Sequence, residues 1–249
     1  MVDLKAQYAK LKPELDAAFS AVMESMEFIN GPQVGNFARS LEAYLQVRHA
    51  IPCANGTDAL QIALMALQLP AGAEVIVPSF NYVSGAEVVA LLGLKPVFAD
   101  VLPDTFTIDP ASVKKVITPN TAAVIPVHLF GQGAAMQELM QLAHEFNLYV
   151  IEDNAQSLGA VYVRPEGHEV RLGTIGHIGT TSFFPSKPLG GMGDGGAVFT
   201  NDDKLAEAIG KIANHGQSEK YKFSTVGVNS RLDTLQAAML DVKIKYVDE

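Results

Sequence analysis

Apolar side chains recur at three- and four-residue steps over residues 3 to 27, at Leu4, Tyr8, Leu11, Leu15, Phe19, Val22 and Met26, which predicts an amphipathic helix. Asn30-Gly31-Pro32 breaks the run, and residues 34 to 47 repeat the helical pattern. After Asn55-Gly56-Thr57, residues 58 to 68 form a strongly apolar helix. An alternation follows. Residues 74–78, 96–101, 122–127 and 148–151 read as short strands, with helices predicted over 84–92 and 135–146. Such alternation predicts βαβ units around a mostly parallel sheet. Beyond Gly179 the pattern changes to strands at 180–184 and 197–200 around a turn-rich stretch, then helices at 203–213 and roughly 231–246. The chain carries neither an internal repeat nor a low-complexity linker.

Composition narrows this picture. The 249 residues suit one large domain, and 48% hydrophobic residues exclude global disorder. Charged residues reach 18%, against roughly 25% in typical soluble proteins. A net charge of −9 argues against a nucleic-acid partner. No run approaches the roughly 18 apolar residues of a membrane span. The polar start, Met1-Val2-Asp3-Leu4-Lys5, predicts no signal peptide, so a cytoplasmic protein is expected. Cys53 is the one cysteine, and the six histidines show no H-x-x-x-H pair, so no metal is expected.

Four stretches carry chemistry. Gly191-Met192-Gly193-Asp194-Gly195-Gly196 matches G-x-G-x-x-G, but a strand follows it, where a dinucleotide site needs a helix. A tight turn is the better reading. Asn55-Gly56-Thr57 opens a helix, where free N–H groups favour a phosphate; an ordinary N-cap is the plainer alternative. Asp153 and its neighbours lie just past an apolar strand, where open α/β folds bind ligands and a buried carboxylate needs a partner; a cap for a following helix is the alternative. Lys187 sits in Ser182-Phe183-Phe184-Pro185-Ser186-Lys187-Pro188-Leu189-Gly190, among aromatics, prolines and glycines. A desolvated lysine is an amine nucleophile toward carbonyls. His128 has two readings, a residue near a cofactor or a satisfied core histidine. A phosphate cradle, a buried carboxylate and a lysine in apolar surroundings are what pyridoxal phosphate requires.

With these pieces in place the sequence resembles the DegT/DnrJ/EryC1/StrS family of pyridoxal-phosphate-dependent nucleotide-sugar aminotransferases. The resemblance runs from the first helix to Leu240. It rests on Asn55-Gly56-Thr57-Asp58-Ala59-Leu60, Glu152-Asp153-Asn154-Ala155-Gln156-Ser157, Ser182 to Lys187, Gly193-Asp194-Gly195-Gly196 and Gly227-Val228-Asn229-Ser230-Arg231-Leu232-Asp233, in family order. It implies an α/β, aspartate aminotransferase-like (type I) large domain with a mostly parallel seven-stranded sheet flanked by helices. It implies Lys187 as the Schiff-base lysine and proton shuttle, Asp153 on the pyridinium nitrogen and Gln156 on the phenolic oxygen. Gly56, Thr57 and Ser182 would hold the phosphate and Tyr82 would stack on the ring. Asn229 would reach the phosphate in a neighbouring subunit, and Arg231 would face the substrate, which implies a homodimer with shared active sites.

The resemblance further implies amino transfer from glutamate to a keto nucleotide-sugar, nearest the branch that aminates 3-keto UDP-sugars for surface polysaccharide. Intact Lys187 favours this over a sugar dehydratase; a non-catalytic sugar-binding regulator is the other alternative. Family members run longer than this chain. Residues 1–235 are therefore expected to be the cofactor-binding large domain, with a helical segment at 1–50, and 236–249 the start of a connection to a missing small C-terminal domain.

Overall fold

The computed structural model describes residues 3–249. Two helices open the chain, α1 (Leu4–Ser25) and α2 (Pro32–Leu45). Asp3 caps α1 by accepting from the Ala6 N–H, and Pro32 at the first turn of α2 lacks the N–H that would be left unpaired there. Of the predicted α1 stripe, Leu11, Leu15 and Val22 are buried, whereas Leu4, Tyr8, Phe19 and Met26 are exposed.

The body is a seven-stranded sheet. Its strands are β1 (His49–Cys53), β2 (Glu74–Pro78), β3 (Lys95–Ala99), β4 (Thr121–Val124), β5 (Tyr149–Asp153), β8 (Ile178–Ser182) and β9 (Gly196–Thr200), in the order β1-β9-β8-β5-β4-β2-β3. The pairings β3-β2-β4-β5-β8 are parallel, and β9 runs antiparallel to both β8 and β1. The expected mostly parallel sheet is therefore present. Helices α3 (Gly56–Ala66), α4 (Ser84–Leu91), α5 (Pro110–Val116), α6 (Met136–Phe146), α7 (Asp203–Ala213) and α8 (Thr234–Lys243) accompany it. Two small hairpins, β6–β7 (Val161–Val163, Glu169–Arg171) and β10–β11 (Gln217–Glu219, Lys222–Phe223), lie outside the sheet.

The pleat sorts side chains between two faces. Val75, Val77, Ile151 and Val198 point to one cluster with α3, α4 and α7. Ile76 and Val150 point to the opposite face, packed by α5 and α6. Ala197 and Phe199 join α2 and α8 there, through Phe37, Leu41, Ala237 and Leu240. Leu60, Ile62 and Leu64 of α3 are at most 2% exposed, each stabilising the fold by about 1.5–3 kcal/mol.

Four differences from the pattern reading have physical causes. β1 was not predicted because Pro52 interrupts it, and it survives because a sheet edge tolerates proline. α5 is only seven residues long and the hairpin strands two or three, too short for periodicity to register. β5 continues to Asp153, past its apolar run, because Asp153 and Glu152 are held by partners that periodicity does not see. Residues 125–127, expected to continue β4, fall outside the strand at Pro126, which has no N–H, yet Ile125 N–H still donates to the Ile76 carbonyl at 2.8 Å and Val127 bridges Asp153.

Candidate active site

A cavity of about 520 Å³ opens at the carboxyl ends of β4, β5 and β8 and at the N-terminus of α3. This is where open α/β sheets bind ligands. Gly56, Thr57, Tyr82, Asp153, Gln156, Ser182 and Lys187, all singled out in the sequence, line it.

At one end of the cavity the start of α3 meets the end of β8. Asn55 caps α3, its Oδ1 accepting from the Asp58 N–H at 2.8 Å, and its carbonyl accepts from Ala59 at 3.0 Å. The preceding N–H groups, of Gly56 and Thr57, stand at the open first turn beside the cavity. A Cβ on Gly56 would stand 2.6 Å from Ser182 Cβ, so only glycine lets the helix start meet the end of β8. Ser182 Oγ accepts from the Phe184 N–H at 3.2 Å, leaving its own proton to donate. The plainer reading of Asn55-Gly56-Thr57 holds, since Asn55 caps the helix, and Gly56 and Thr57 line the cavity beside it.

Neighbouring acids on β5 part ways because the pleat sends them to opposite faces. Glu152, fully buried, accepts from His128 Nε2 at 2.8 Å and from the N–H groups of Gly173, Ile175 and Gly176 at 2.9, 2.6 and 2.6 Å. His128 Nδ1 accepts from the Ala134 N–H at 3.1 Å, so the imidazole is neutral with its proton on Nε2. His128 is thereby a satisfied core residue. Asp153 faces the cavity. It is 7% exposed, and its Oδ1 accepts from the Ala155 N–H at 3.0 Å. Burial pushes its carboxyl above the usual carboxylate range, opposed by the Ala155 N–H and the Lys187 ammonium. The site therefore favours a cation that Asp153 can pair with.

Gln156 Oε1 accepts from the Phe130 N–H at 3.0 Å, which leaves its amide NH₂ as the group available to a ligand. Lys187 is half-buried in the cavity wall. Its loop is closed by Lys187 N–H to the Phe184 carbonyl at 2.8 Å and Gly191 N–H to the Phe183 carbonyl at 2.7 Å. Phe183 anchors the loop, fully buried and edge-on to Phe37 at 5.3 Å. Tyr82 stands at the mouth, 73% exposed.

Asn229 and Arg231 do not line this cavity. They flank buried Ser230, whose Oγ accepts from the Ala54 N–H at 3.0 Å, just before the start of α3. Asn229 is exposed. Sequence reading gave no role to four further lining residues, Asn81, Ser84, Ser186 and Asp194. Asp194 had a signal, its place inside the glycine turn; the others lie beside Tyr82 and Lys187.

A family model for DegT/DnrJ/EryC1/StrS aminotransferases matches residues 9–249. The chain belongs to this family. A Pseudomonas aeruginosa relative, a UDP-2-acetamido-2-deoxy-3-oxo-D-glucuronate aminotransferase, is 49% identical over 248 residues, covering 100% of this chain and 68% of its own. A crystal structure of S. venezuelae DesV in complex with a ketimine intermediate superposes with a TM-score of 0.93 at 42% identity, over 99% of this chain and 65% of that one. NtdA from Bacillus subtilis, with bound cofactor PMP, superposes with a TM-score of 0.87 at 34% identity, over 96% and 53%. This family chain thus spans about half to two thirds of these relatives and has their type I fold.

Proposed function

We propose that the protein is a pyridoxal-phosphate-dependent aminotransferase that moves an amino group from glutamate to a keto nucleotide-sugar, most closely a 3-keto UDP-sugar. The observation that carries this reading is the convergence in one cavity of Lys187, a buried carboxylate lacking a cation, and the open first turn of α3. The site fits the cofactor at three points. Gly56 leaves room that a Cβ would fill, the N–H groups of Gly56 and Thr57 face the cavity, and Asp153 lies buried with one hydrogen bond.

When bound, the cofactor would supply an electron sink that stabilises negative charge at the amino-bearing carbon. Gly56, Thr57 and Ser182 would hold its phosphate. Asp153 would hold the proton on the ring nitrogen, and the Gln156 NH₂ would donate to the phenolic oxygen. Tyr82 would cover the ring from the mouth. Lys187 would anchor the cofactor covalently, and then carry protons between substrate and cofactor carbons. The name of the Pseudomonas relative supports a 3-oxo UDP-sugar as acceptor.

The protein would act as a homodimer with shared sites. Asn229 and Arg231 lie outside their own cavity, and exposed Tyr82, Tyr221, Phe223 and Val226 offer apolar surface to a second copy. Asn229 would reach the twin's phosphate and Arg231 its substrate.

The test is spectroscopic and then chemical. Added pyridoxal phosphate should give a visible-to-near-ultraviolet band that Lys187→Ala abolishes. Glutamate plus keto UDP-sugars should then release 2-oxoglutarate and an amino sugar. A folded protein that develops no band refutes the reading. A band without 2-oxoglutarate favours the dehydratase, and sugar binding without turnover the regulator.

A further inference from the structure

The loop that carries Lys187 is gripped from behind by α8. Lys243, at the end of α8, is only 6% exposed, and its Nζ donates to the carbonyl of Gly190. Burial pushes its ammonium below the usual lysine range, a cost that an apolar residue would avoid. Two turns earlier on the same helix face, Gln236 Oε1 accepts from the Met192 N–H at 2.8 Å. The Gln236 amide sits close against the glycine turn, since a Cβ on Gly191 would stand 2.9 Å from its Oε1 and one on Gly193 2.8 Å from its Nε2. At Gly190 the loop packs back against its own start; a Cβ there would stand 2.2 Å from the Pro185 carbonyl oxygen. Lys243 holds the carbonyl at this close approach. On the other side of the loop, Lys187 and Asp194 face the cavity.

We infer that Gln236 and Lys243 are positioning residues for Lys187: by holding Met192 and Gly190 they set where the loop, and hence the lysine amine, stands in the cavity. Neither lines the cavity, so both act through the loop. The inference rests on the proposed role of Lys187, but half of its test does not.

The test compares Lys243→Met, Lys243→Arg and Gln236→Leu in the purified protein. Hydrogen exchange without cofactor should quicken about tenfold or more at the Lys187, Gly191 and Met192 amides, with α3 and β5 unchanged. Lys243→Arg, which keeps a donor, should restore most of the protection. The rate at which added pyridoxal phosphate forms its absorbance band should fall about tenfold in Lys243→Met and in Gln236→Leu. Exchange that rises uniformly, or loop exchange that quickens while capture stays normal, would overturn the inference. Should Lys243→Met not fold, Gln236→Leu decides by the same readouts. Should even the unmodified protein capture no cofactor, the proposed function falls, and exchange alone decides the clamp.

Discussion

At the residue scale, Gly56 and Asp153 show chemistry set by single atoms. Gly56→Ala forces a methyl against Ser182 Cβ, so the helix start must retreat from β8. Expected are a loss of about 1–3 kcal/mol in stability, measured by denaturant unfolding, and weaker cofactor binding, measured by absorbance titration. Asp153 has a folded-state pKa raised by burial. The folded, cofactor-free protein therefore holds this proton more tightly than the unfolded chain does. Its stability falls as pH rises through the window between the unfolded and the raised folded values. Asp153→Asn should thus unfold at a higher temperature than the unmodified protein near neutral pH without cofactor, with the gain shrinking as pH is lowered through that window. With cofactor and substrates, the same variant should lose about a hundredfold or more in turnover. A melting temperature equal to the parent's at every pH would show that burial does not strain this carboxylate.

At the element scale, β5 is the hinge between core and site. Its outward-facing and core-facing acids differ by one residue, and the pleat alone separates them. Glu152 ties β5 to His128 and to the N–H groups of residues 173 to 176. Glu152→Gln would turn an amide NH₂ toward donors, so a loss of about 2–4 kcal/mol is expected by chemical unfolding. Much of this element was legible beforehand. The apolar run before Glu152 marked a buried strand, and the acids past it marked the ligand end. What periodicity could not tell was that His128, twenty-four positions upstream, is the partner of Glu152. That pairing is made where the segment after β4 runs beside the end of β5, and no local pattern encodes it.

At the scale of the whole molecule, the low charge fraction meets a surface with exposed aromatics near the cavity: Tyr82, Phe130 and Phe184 are all more than half exposed. The proposed shared-site dimer is checked by mixing two defective variants. Lys187→Ala and Asn229→Ala should each be impaired alone. Subunit exchange should then restore activity toward about a quarter of the sites, because each mixed dimer holds one site with both residues intact. Mixtures no more active than either parent would place Asn229 in its own subunit's site or outside any.

The alternation of the longer helices with the central strands, the helix start at Asn55-Gly56-Thr57, the acid at the end of β5 and the lysine loop were determined by the sequence. Each is a local signal: a period, a cap, a turn rich in glycine and proline. Tertiary structure decided the rest. It chose between the two readings of His128, put β1 at an edge where Pro52 is harmless, and set Asn229 and Arg231 outside the cavity while bringing Ser230 against the start of α3. It also laid Gln236 and Lys243 behind the lysine loop, 49 and 56 positions from Lys187 in the chain. The physical reason is common to all of these. A residue's partner across the sheet or behind a loop is fixed by how layers stack, and stacking depends on every element at once.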